Sequence, residues 1–346
     1  MFENDRRWVV VALAVLLLLS ACGKKGAGLQ DNRTPPDKIL FENGMKFLDK
    51  SQFIKARIAF QTLISAYPDS DLSAKAYLAV GDSYYKEGGT ANLLQAEAQY
   101  KDFQIFYPKH EDTDDAQFKV VALNIRLMRP SDRDPTYARK AEAELKRFFG
   151  NYPDSPLVAV ARGALRDVEE ILADGIQGKA QFYREKGERS LPAAESRFKE
   201  LIAKYPRFSA TDETLFWLAD TLEKQGRVQE SVAYFAKIVS DYPFSRHAEE
   251  ARKRLIDLEH PVPAVNEKAA AENEQYRIEK DFSIWNPFRN LWDTFSGGPD
   301  PYEEAIKSVG GKTENGNEQD DKDQKESKKK KPKTNGPKTD GPKKTK

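Results

Sequence analysis

The sequence contains very little cysteine and histidine, the residues that most often build metal sites and nucleophilic pairs. Cys22 is the only cysteine in 346 residues, so no disulfide can form within the chain. The three histidines, at positions 110, 247 and 260, lie far apart, and no two have the spacing of metal ligands. No histidine adjoins a serine, and no glycine-rich phosphate loop is present. The sequence therefore predicts no catalytic centre, no metal site and no bound cofactor.

The chain also lacks an excess of charge of either sign. It has 56 lysines and arginines against 55 aspartates and glutamates, for a net charge of +1. A nucleic-acid groove needs a concentrated basic face, so no nucleic-acid partner is predicted. Outside residues 1–21 there is no alternating apolar run of five or more residues, so strands are not expected. The pattern favours an all-α protein.

Long apolar runs are confined to residues 1–21, which we predict to be a signal peptide. The run from Trp8 to Leu19 is shorter than the about 20 residues that a membrane helix needs. It fits the apolar region of a secretory signal peptide, and Arg6 and Arg7 supply the positive charge before it.

The run ends in Leu19-Ser20-Ala21-Cys22, which resembles a bacterial lipobox. The resemblance implies cleavage before Cys22 and lipidation of that residue. An ordinary signal peptide with an incidental cysteine is the alternative. The residue after the cysteine is Gly23 and not aspartate, which by the usual rule for such lipoproteins favours the outer membrane over the inner one. Residues 22–37, rich in Gly, Lys, Asn and Pro, are predicted to be a flexible tether.

What the chain does contain is a repeat. The dipeptide Tyr-Pro closes five helical patterns, with tyrosines at positions 67, 107, 152, 205 and 242. In the first four an alanine and then a large side chain precede it at helical spacing: Ala56 and Phe60, Ala96 and Tyr100, Ala141 and Leu145, Ala194 and Phe198. Repetition at this period is typical of a solenoid of helix pairs. A residue before proline avoids the helical region, so each pair should end near its tyrosine.

The repeats predict a superhelical solenoid of about five helix pairs over residues 38–260. The predicted pairs are 38–50 with 52–67, 72–86 with 92–107, 112–128 with 135–152, 157–186 with 191–205, and 211–225 with 228–242. A capping helix is expected at 246–259, because terminal repeats must cover the open end. Residues 261–295 are predicted to be a linker, with a polar helix at 267–281, followed by an aromatic segment. Residues 296–346, a lysine-rich tail, are predicted to be disordered.

The aromatic segment, residues 282–295, is a candidate docking element. Trp285, Phe288, Trp292 and Phe295 are its largest side chains, and the last three share one face of a helix that begins at Pro287. Exposing so many aromatic rings to water is unusual for a soluble chain. The segment could pack on the last repeats, enter a groove of a partner, or lie at a membrane interface.

A lipobox, a short tether and five helix pairs ending in Tyr-Pro resemble the BamD/ComL family of outer-membrane assembly lipoproteins. The resemblance runs over about residues 34–258 and is most specific in the third and fourth repeats. The residues that carry it there are Asp132-Arg133-Asp134-Pro135, Ala138-Arg139, Tyr152-Pro153-Asp154-Ser155, Phe182-Tyr183, Ser196-Arg197 and Tyr205-Pro206.

The resemblance implies that the helix pairs are of the tetratricopeptide type and that the function is not enzymatic. It implies a lipid-anchored scaffold on the periplasmic face of the outer membrane, within the β-barrel assembly (BAM) complex. The partners would be the POTRA domains of a BamA-like barrel subunit, unfolded outer-membrane proteins, and other BAM lipoproteins. It also implies that Arg197 contacts an acidic residue of the POTRA region. From the residues alone, the alternative is that Arg197 is solvated or paired with Glu195, Glu200 or another nearby acid.

Four aromatic residues on the first helices are candidates for a groove that receives an unfolded strand: Tyr77, Tyr84, Tyr85 and Phe47. The alternative is that they pack between helices. Two other functions stay open. One is a different periplasmic repeat scaffold that coordinates cell-wall or envelope assembly. The other is a helical enzyme such as a peptidoglycan lytic enzyme, although the repeats are not followed by a sequence that predicts a compact catalytic domain.

Overall fold

The computed structural model describes residues 35–281, and this part of the chain is built from helices. It contains twelve α-helices, one 3-10 turn and no strand. In chain order the helices are α1 (Pro36–Asp49), α2 (Phe53–Ala66), α3 (Ser73–Glu87), α4 (Thr90–Phe106), α5 (Thr113–Arg126), α6 (Thr136–Asn151), α7 (Val158–Glu185), α8 (Leu191–Lys204), α9 (Thr211–Lys224), α10 (Val228–Asp241), α11 (Ala248–Asp257) and α12 (Glu267–Asp281). The all-α prediction is confirmed, and each predicted helix boundary lies within two residues of the observed one.

Ten of these helices form the five predicted pairs, and a tyrosine follows the second helix of each. The five tyrosines have φ between −125° and −135° and donate their backbone N–H to the carbonyl four residues earlier. They are Tyr67, Tyr107, Tyr152, Tyr205 and Tyr242. Because the next residue is always proline, the tyrosine leaves the helical region and the helix stops there.

The chain divides into two compact units, of which the first ends at Ala76. Within this unit α1 packs against α2 around Phe60, whose side chain is fully buried. The centroid of the Phe60 ring lies 5.7 Å from that of Phe41. Gly44 of α1 faces the same ring, and a Cβ at this position would clash with it. The absence of a side chain at Gly44 therefore lets the two helices approach closely.

The second unit begins at Tyr77. The second helix of each of its pairs has the same packing pattern. A small buried residue is followed four positions later by a large buried one. The pairs are Ala96 and Tyr100, Ala141 and Leu145, Ala194 and Phe198, and Ser231 and Phe235, and every member is at most 1% exposed. The small residue admits the neighbouring helix and the large one fills the space between helices, which keeps the interior close-packed.

A hydrogen bond between an aspartate and a serine fastens the turn after Tyr-Pro in three repeats. The serine stands three residues after the tyrosine, and the aspartate is the second residue of the first helix of the same pair. The bonds join Ser70 to Asp37, Ser155 to Asp114, and Ser245 to Asp212. Each serine oxygen also accepts the backbone N–H two residues later, so it orders the turn that leads into the next helix.

Helix α7 is the longest helix among the described residues, with 28 residues. Its length of about 42 Å follows from the rise of an α-helix. The loop at 129–135 lies directly on it at Gly175, where a Cβ would stand 2.6 Å from the carbonyl oxygen of Ser131. The Ser131 hydroxyl donates a hydrogen bond to Asp174 beside this glycine. Gly175 therefore fixes where the loop meets α7.

The last two helices lie beyond the five pairs. Helix α11 buries Ala248, Ala251 and Leu255, which confirms the predicted capping helix. Helix α12 then packs against the end of α10, where the backbone N–H of Asn266 donates to the carbonyl of Ser240 at 3.0 Å. Along residues 35–281 no helix has both the length and the apolar character that crossing a bilayer requires.

Candidate functional site

Arg197 lies on the edge of α8, as its position beside the buried Phe198 predicts. Its side chain is 47% exposed, and its Nη1 donates to Glu200 Oε2 at 2.5 Å. Glu200 also accepts a hydrogen bond from Lys204 Nζ at 2.7 Å. The bonds from Lys204 and from Arg197 hold the pKa of the Glu200 carboxyl below its usual value. Of the alternatives left open by the sequence, the structure has Arg197 paired with Glu200.

A cavity of about 340 Å³ opens on the other side of Glu200. The loop at 129–135, the start of α6, the middle of α7 and the end of α8 form its walls. Four of the lining residues are cations and one is an acid: Arg129, Arg139, Lys179 and Lys204 against Glu200. Cations therefore outnumber acids among the side chains that line the cavity, which suits it to an anionic group.

Tyr205, the residue that follows α8, lines this cavity. Burial, together with the nearby carboxylates Glu142 and Glu169, raises the pKa of its hydroxyl to about 12. The hydroxyl is therefore protonated at neutral pH and can donate a hydrogen bond. The sequence showed that Tyr205 ends the helix, but it did not show that the residue lines a cavity. The loop at 129–135, which completes the wall, is far from Tyr205 in the chain.

The candidate groove residues on α3 do not share one environment. Tyr77 is half-buried, and its ring centroid lies 5.7 Å from that of Phe106 and 6.0 Å from that of Tyr107. Burial raises the pKa of the Tyr77 hydroxyl. Tyr84 is also half-buried. Tyr85 is only 5% exposed, so it contributes no surface to a groove in this arrangement.

Arg126 of α5 explains the burial of Tyr85. Its guanidinium carbon lies 4.9 Å from the centroid of the Tyr85 ring, and its Nη1 donates to the Tyr85 carbonyl at 2.9 Å. In the first unit, Phe47 is half-buried and the Lys55 ammonium lies 5.8 Å from its ring centroid. Tyr77 and Phe47 thus keep accessible ring surface, whereas Tyr85 acts in packing.

Phe106, the most exposed aromatic side chain of the second repeat, was not among the predicted groove residues. Phe106 is 62% exposed and Ile105 is 70% exposed, and Phe106 contacts Tyr77 edge to face. Both residues directly precede Tyr107-Pro108. The sequence did contain a signal for this surface: two apolar residues stand in the last turn of the helix and are not needed for its buried face.

Several predicted site residues lie outside the described residues. They are Cys22, Trp285, Phe288, Trp292 and Phe295. Within residues 35–281 no group of histidine, cysteine, aspartate or glutamate side chains could hold a metal ion.

A family model described as YfiO, outer membrane lipoprotein, matches residues 33–227, which is more than half of the chain. The chain belongs to this family. The match includes every helix from α1 to α9, and therefore both Arg197 and the cavity. A second model, described as a tetratricopeptide repeat, matches residues 213–245, which contain most of α9 and all of α10. The predicted resemblance to the BamD/ComL family and the predicted repeat type are confirmed.

Curated relatives of this YfiO-family chain are named outer membrane protein assembly factor BamD. The protein from Neisseria meningitidis serogroup A / serotype 4A is 24% identical over 234 residues, covering 64% of this chain and 86% of the relative. That from Caulobacter vibrioides is 25% identical over 256 residues, covering 72% and 82%. That from Vibrio cholerae serotype O1 is 27% identical over 216 residues, covering 59% and 85%.

Two tetratricopeptide proteins are among the solved structures to which the chain is similar. The TPR2AB domain of yeast Sti1, solved in a pHSP90 complex, is 14% identical with a TM-score of 0.37, and the match covers 78% of this chain and 98% of that one. A thermophilic repeat protein from Thermus thermophilus is 15% identical with a TM-score of 0.29, covering 64% and 99%.

Helices α11 and α12 lie beyond both family matches, and α12 reaches back to the fourth repeat. The guanidinium carbons of Arg166 and Arg207 lie 5.3 Å and 5.8 Å from the centroid of the Tyr276 ring. Its hydroxyl donates to Glu170 Oε1 at 3.4 Å. Burial, followed by the charge of Glu170, raises the pKa of this hydroxyl. Tyr276 therefore fastens α12 to α7.

Proposed function

We propose that this protein is a lipid-anchored scaffold subunit of the outer-membrane β-barrel assembly complex. It lies on the periplasmic face of the outer membrane, held by lipid on Cys22. It binds the POTRA domains of a BamA-like barrel subunit and receives unfolded outer-membrane proteins for insertion. It acts by binding and positioning its partners, without a catalytic step of its own.

The observation that carries this proposal is the extent of the match to relatives named as outer membrane protein assembly factors. Each of the three relatives described above is covered over more than four fifths of its length. The match to the family spans the repeats rather than one motif, so it includes the surfaces through which a scaffold works. Stacked helical repeats offer extended surfaces for binding, which supports a scaffold in preference to an enzyme.

Repeat four supplies the surface that we assign to the barrel subunit. Arg197 and the cavity behind Glu200 place several cations within one region of α6, α7 and α8. An arginine fork can bind a carboxylate at two points, which gives such a contact direction as well as strength. A POTRA domain that presents an acidic side chain would complement this region.

We assign the unfolded substrate to the aromatic surface of repeat two. Tyr77 and Phe106 together offer a half-buried ring and a largely exposed one. Aromatic side chains bury a large area at small conformational cost, so they suit a chain that has no fixed structure before binding. Phe47 is a further candidate in the first repeat.

The test is crosslinking and mass spectrometry of the lipidated protein in its own outer membrane. We expect crosslinks from repeat four to a large β-barrel protein with POTRA domains, and co-purification of that protein. Recovery of cell-wall synthesis proteins in its place would assign the chain to a different periplasmic scaffold and overturn the proposal. Release of soluble fragments from purified cell wall would instead indicate a lytic enzyme.

A further inference from the structure

We propose that the cavity beside α8 binds a carboxylate carried by a protein partner, with Arg139 and Lys179 as its cationic contacts. The inference deepens the proposed function, because the partner is taken to be the barrel subunit. It is separate from the expectation for Arg197, since it adds a second carboxylate contact in the cavity to the one expected on the edge of α8.

The charges in and around the cavity are unequally compensated. Glu200 already accepts hydrogen bonds from Arg197 and Lys204. Asp174, at the edge of the cavity, accepts the Ser131 hydroxyl. Arg139 and Lys179 are exposed, and neither forms an ion pair with a residue in the described part of the chain. Glu142 and Glu169 also lie close to Tyr205 in the wall, and Glu142 is already paired with Lys146. The cations left for a ligand are therefore Arg139 and Lys179.

The walls of the cavity suit a side chain better than a small inorganic ion. Ile171, Leu172 and Ile176 of α7 line it, and Ala138 of α6 adds further apolar surface. A volume of about 340 Å³ is roughly ten times the share of one water molecule in the liquid. The aliphatic part of a glutamate or aspartate residue would cover the isoleucines while its carboxylate reaches the two cations.

The cavity is built by the fold rather than by mobile surface side chains alone. The loop at 129–135 forms one wall, and its contact at Gly175 and the bond from Ser131 to Asp174 fix it on α7. Arg139 comes from α6 and Lys179 from α7, so two different helices bring the cations to one opening. Such preorganisation lowers the entropy that binding must overcome.

The experiment titrates the mature chain with an acetylated and amidated hexapeptide that has one central glutamate between alanines and leucines. Amide chemical shifts of residues 129–139 and 171–179 report binding. The same peptide with glutamine in place of glutamate is the ligand control. Inorganic phosphate is titrated separately, because it shares the negative charge but not the side chain.

We expect the glutamate peptide to shift these signals and the glutamine peptide to leave them unchanged. The double variant Arg139→Gln/Lys179→Gln should weaken binding about tenfold, as expected for the loss of two exposed charge contacts. The matched control Arg189→Gln/Lys253→Gln removes two exposed cations elsewhere on the same unit and should bind as the wild type. Circular dichroism verifies that both variants fold.

Three results would overturn the proposal: an equal response to the glutamine peptide, tighter binding of phosphate than of the glutamate peptide, or equal losses in the two double variants. The titration contains no barrel subunit, so its failure leaves the proposed function standing. Conversely, if the peptide binds as expected and no barrel protein co-purifies, the cavity is upheld and the proposed function is wrong.

Discussion

At the scale of single residues, the contact between Arg197 and Glu200 defines what this arginine can offer a partner. The two residues are three apart on α8, and the arginine is about half exposed. Exposed ion pairs of this kind contribute only about 0.2–1 kcal/mol. A partner carboxylate that binds the guanidinium fork at two points can therefore displace Glu200, which keeps its bond to Lys204.

We expect Arg197→Leu to weaken binding of soluble POTRA domains by about 1–2 kcal/mol, less than for a fully buried pair because Arg197 is half exposed. Arg197→Lys should restore part of the affinity, since an ammonium group cannot reproduce the fork. Isothermal titration calorimetry measures the affinity, and Arg189→Leu is the control. Wild-type affinity in a well-folded Arg197→Leu protein would remove this residue from the interface.

The serine that follows Tyr-Pro is a second residue whose role can be tested. Ser155 Oγ donates to Asp114 Oδ2 at 2.6 Å and accepts the backbone N–H of Leu157 at 3.2 Å. Replacement by alanine leaves both partners without this hydrogen bond in a partly buried turn. We expect Ser155→Ala to lower the free energy of unfolding by about 1 kcal/mol.

Chemical denaturation of Ser155→Ala, Asp114→Ala and the double variant measures the coupling between the two side chains. A coupling energy near zero would show that the serine acts on the turn alone and not through the aspartate.

The tyrosines that end the helices also connect stability to pH. Burial, followed by the charges of Asp241 and Asp212, raises the pKa of the Tyr242 hydroxyl from 10.0 to about 12. The folded state therefore holds this proton more tightly than the unfolded state does. Its contribution is fully present below pH 10 and is lost as the pH rises from 10 towards 12.

We expect Tyr242→Phe to reduce the loss of stability between pH 10 and pH 12 by roughly 2 kcal/mol, because phenylalanine keeps the ring but cannot ionise. Urea denaturation at pH 8, 10 and 11.5 provides the measurement, with Tyr67, which is 37% exposed, changed to phenylalanine as the control. Identical pH profiles for wild type and Tyr242→Phe would contradict this account.

At the scale of elements, α12 lies beyond the capping helix and is held by contacts that can be tested one at a time. They include Tyr276, the buried Ala270 and the bond from Asn273 Nδ2 to the carbonyl of Asp241 at 2.9 Å. An isolated helix of this length is marginal in water.

We expect Tyr276→Ala to free α12, because it removes both the ring that contacts the two arginines and the bond to Glu170. Hydrogen exchange of residues 267–276 should become at least tenfold faster, while exchange in α9 and α10 stays unchanged. Lys268→Ala, a change at a solvated position, is the control. Unchanged exchange in Tyr276→Ala would show that the other contacts of α12 suffice to hold the helix.

The positions of the helices could be predicted from the sequence because their determinants are local. A proline fixes the end of each second helix, and the alanine and the large residue four positions later fix its buried face. These signals lie within one helix, so no tertiary information was needed to place α1 to α11 within two residues.

The candidate site depended on contacts between distant residues and was predicted only in part. The position of Arg197 on the edge of α8 followed from helical spacing. Its pairing with Glu200 was one of several open alternatives. The burial of Tyr85 depends on Arg126, 41 residues away in the chain. The cavity needs a loop, α6, α7 and α8 together, and no periodicity within one helix encodes that arrangement.

At the scale of the whole molecule, the proposed anchor sets where the repeats can be. Helix α1 begins at Pro36, only 14 residues after Cys22. A fully extended chain of this length spans at most about 50 Å. If Cys22 carries lipid, the first repeat is therefore confined to a layer of this depth beside the membrane.

We expect Cys22→Ala to shift the protein from the outer-membrane fraction to the soluble periplasmic fraction. Several acyl chains anchor a protein stably, whereas one gives marginal binding and none leaves only protein contacts. Fractionation after a high-salt wash, with detection by immunoblot, is the measurement. Retention of the variant in the membrane after the wash would mean that partners or a different segment hold it there.

The length of α7 gives the molecule one further property. Glu170, which Tyr276 holds, and Ile171, which lines the cavity, are neighbours on this helix. The docking of α12 and the binding of a ligand in the cavity thus involve the same helix. Coupling between two binding equilibria is reciprocal. If docking of α12 changes the affinity of the cavity by some factor, then a ligand in the cavity changes the docking equilibrium of α12 by the same factor. Helix α7 would then couple the occupancy of the cavity in the fourth repeat to the docking of α12.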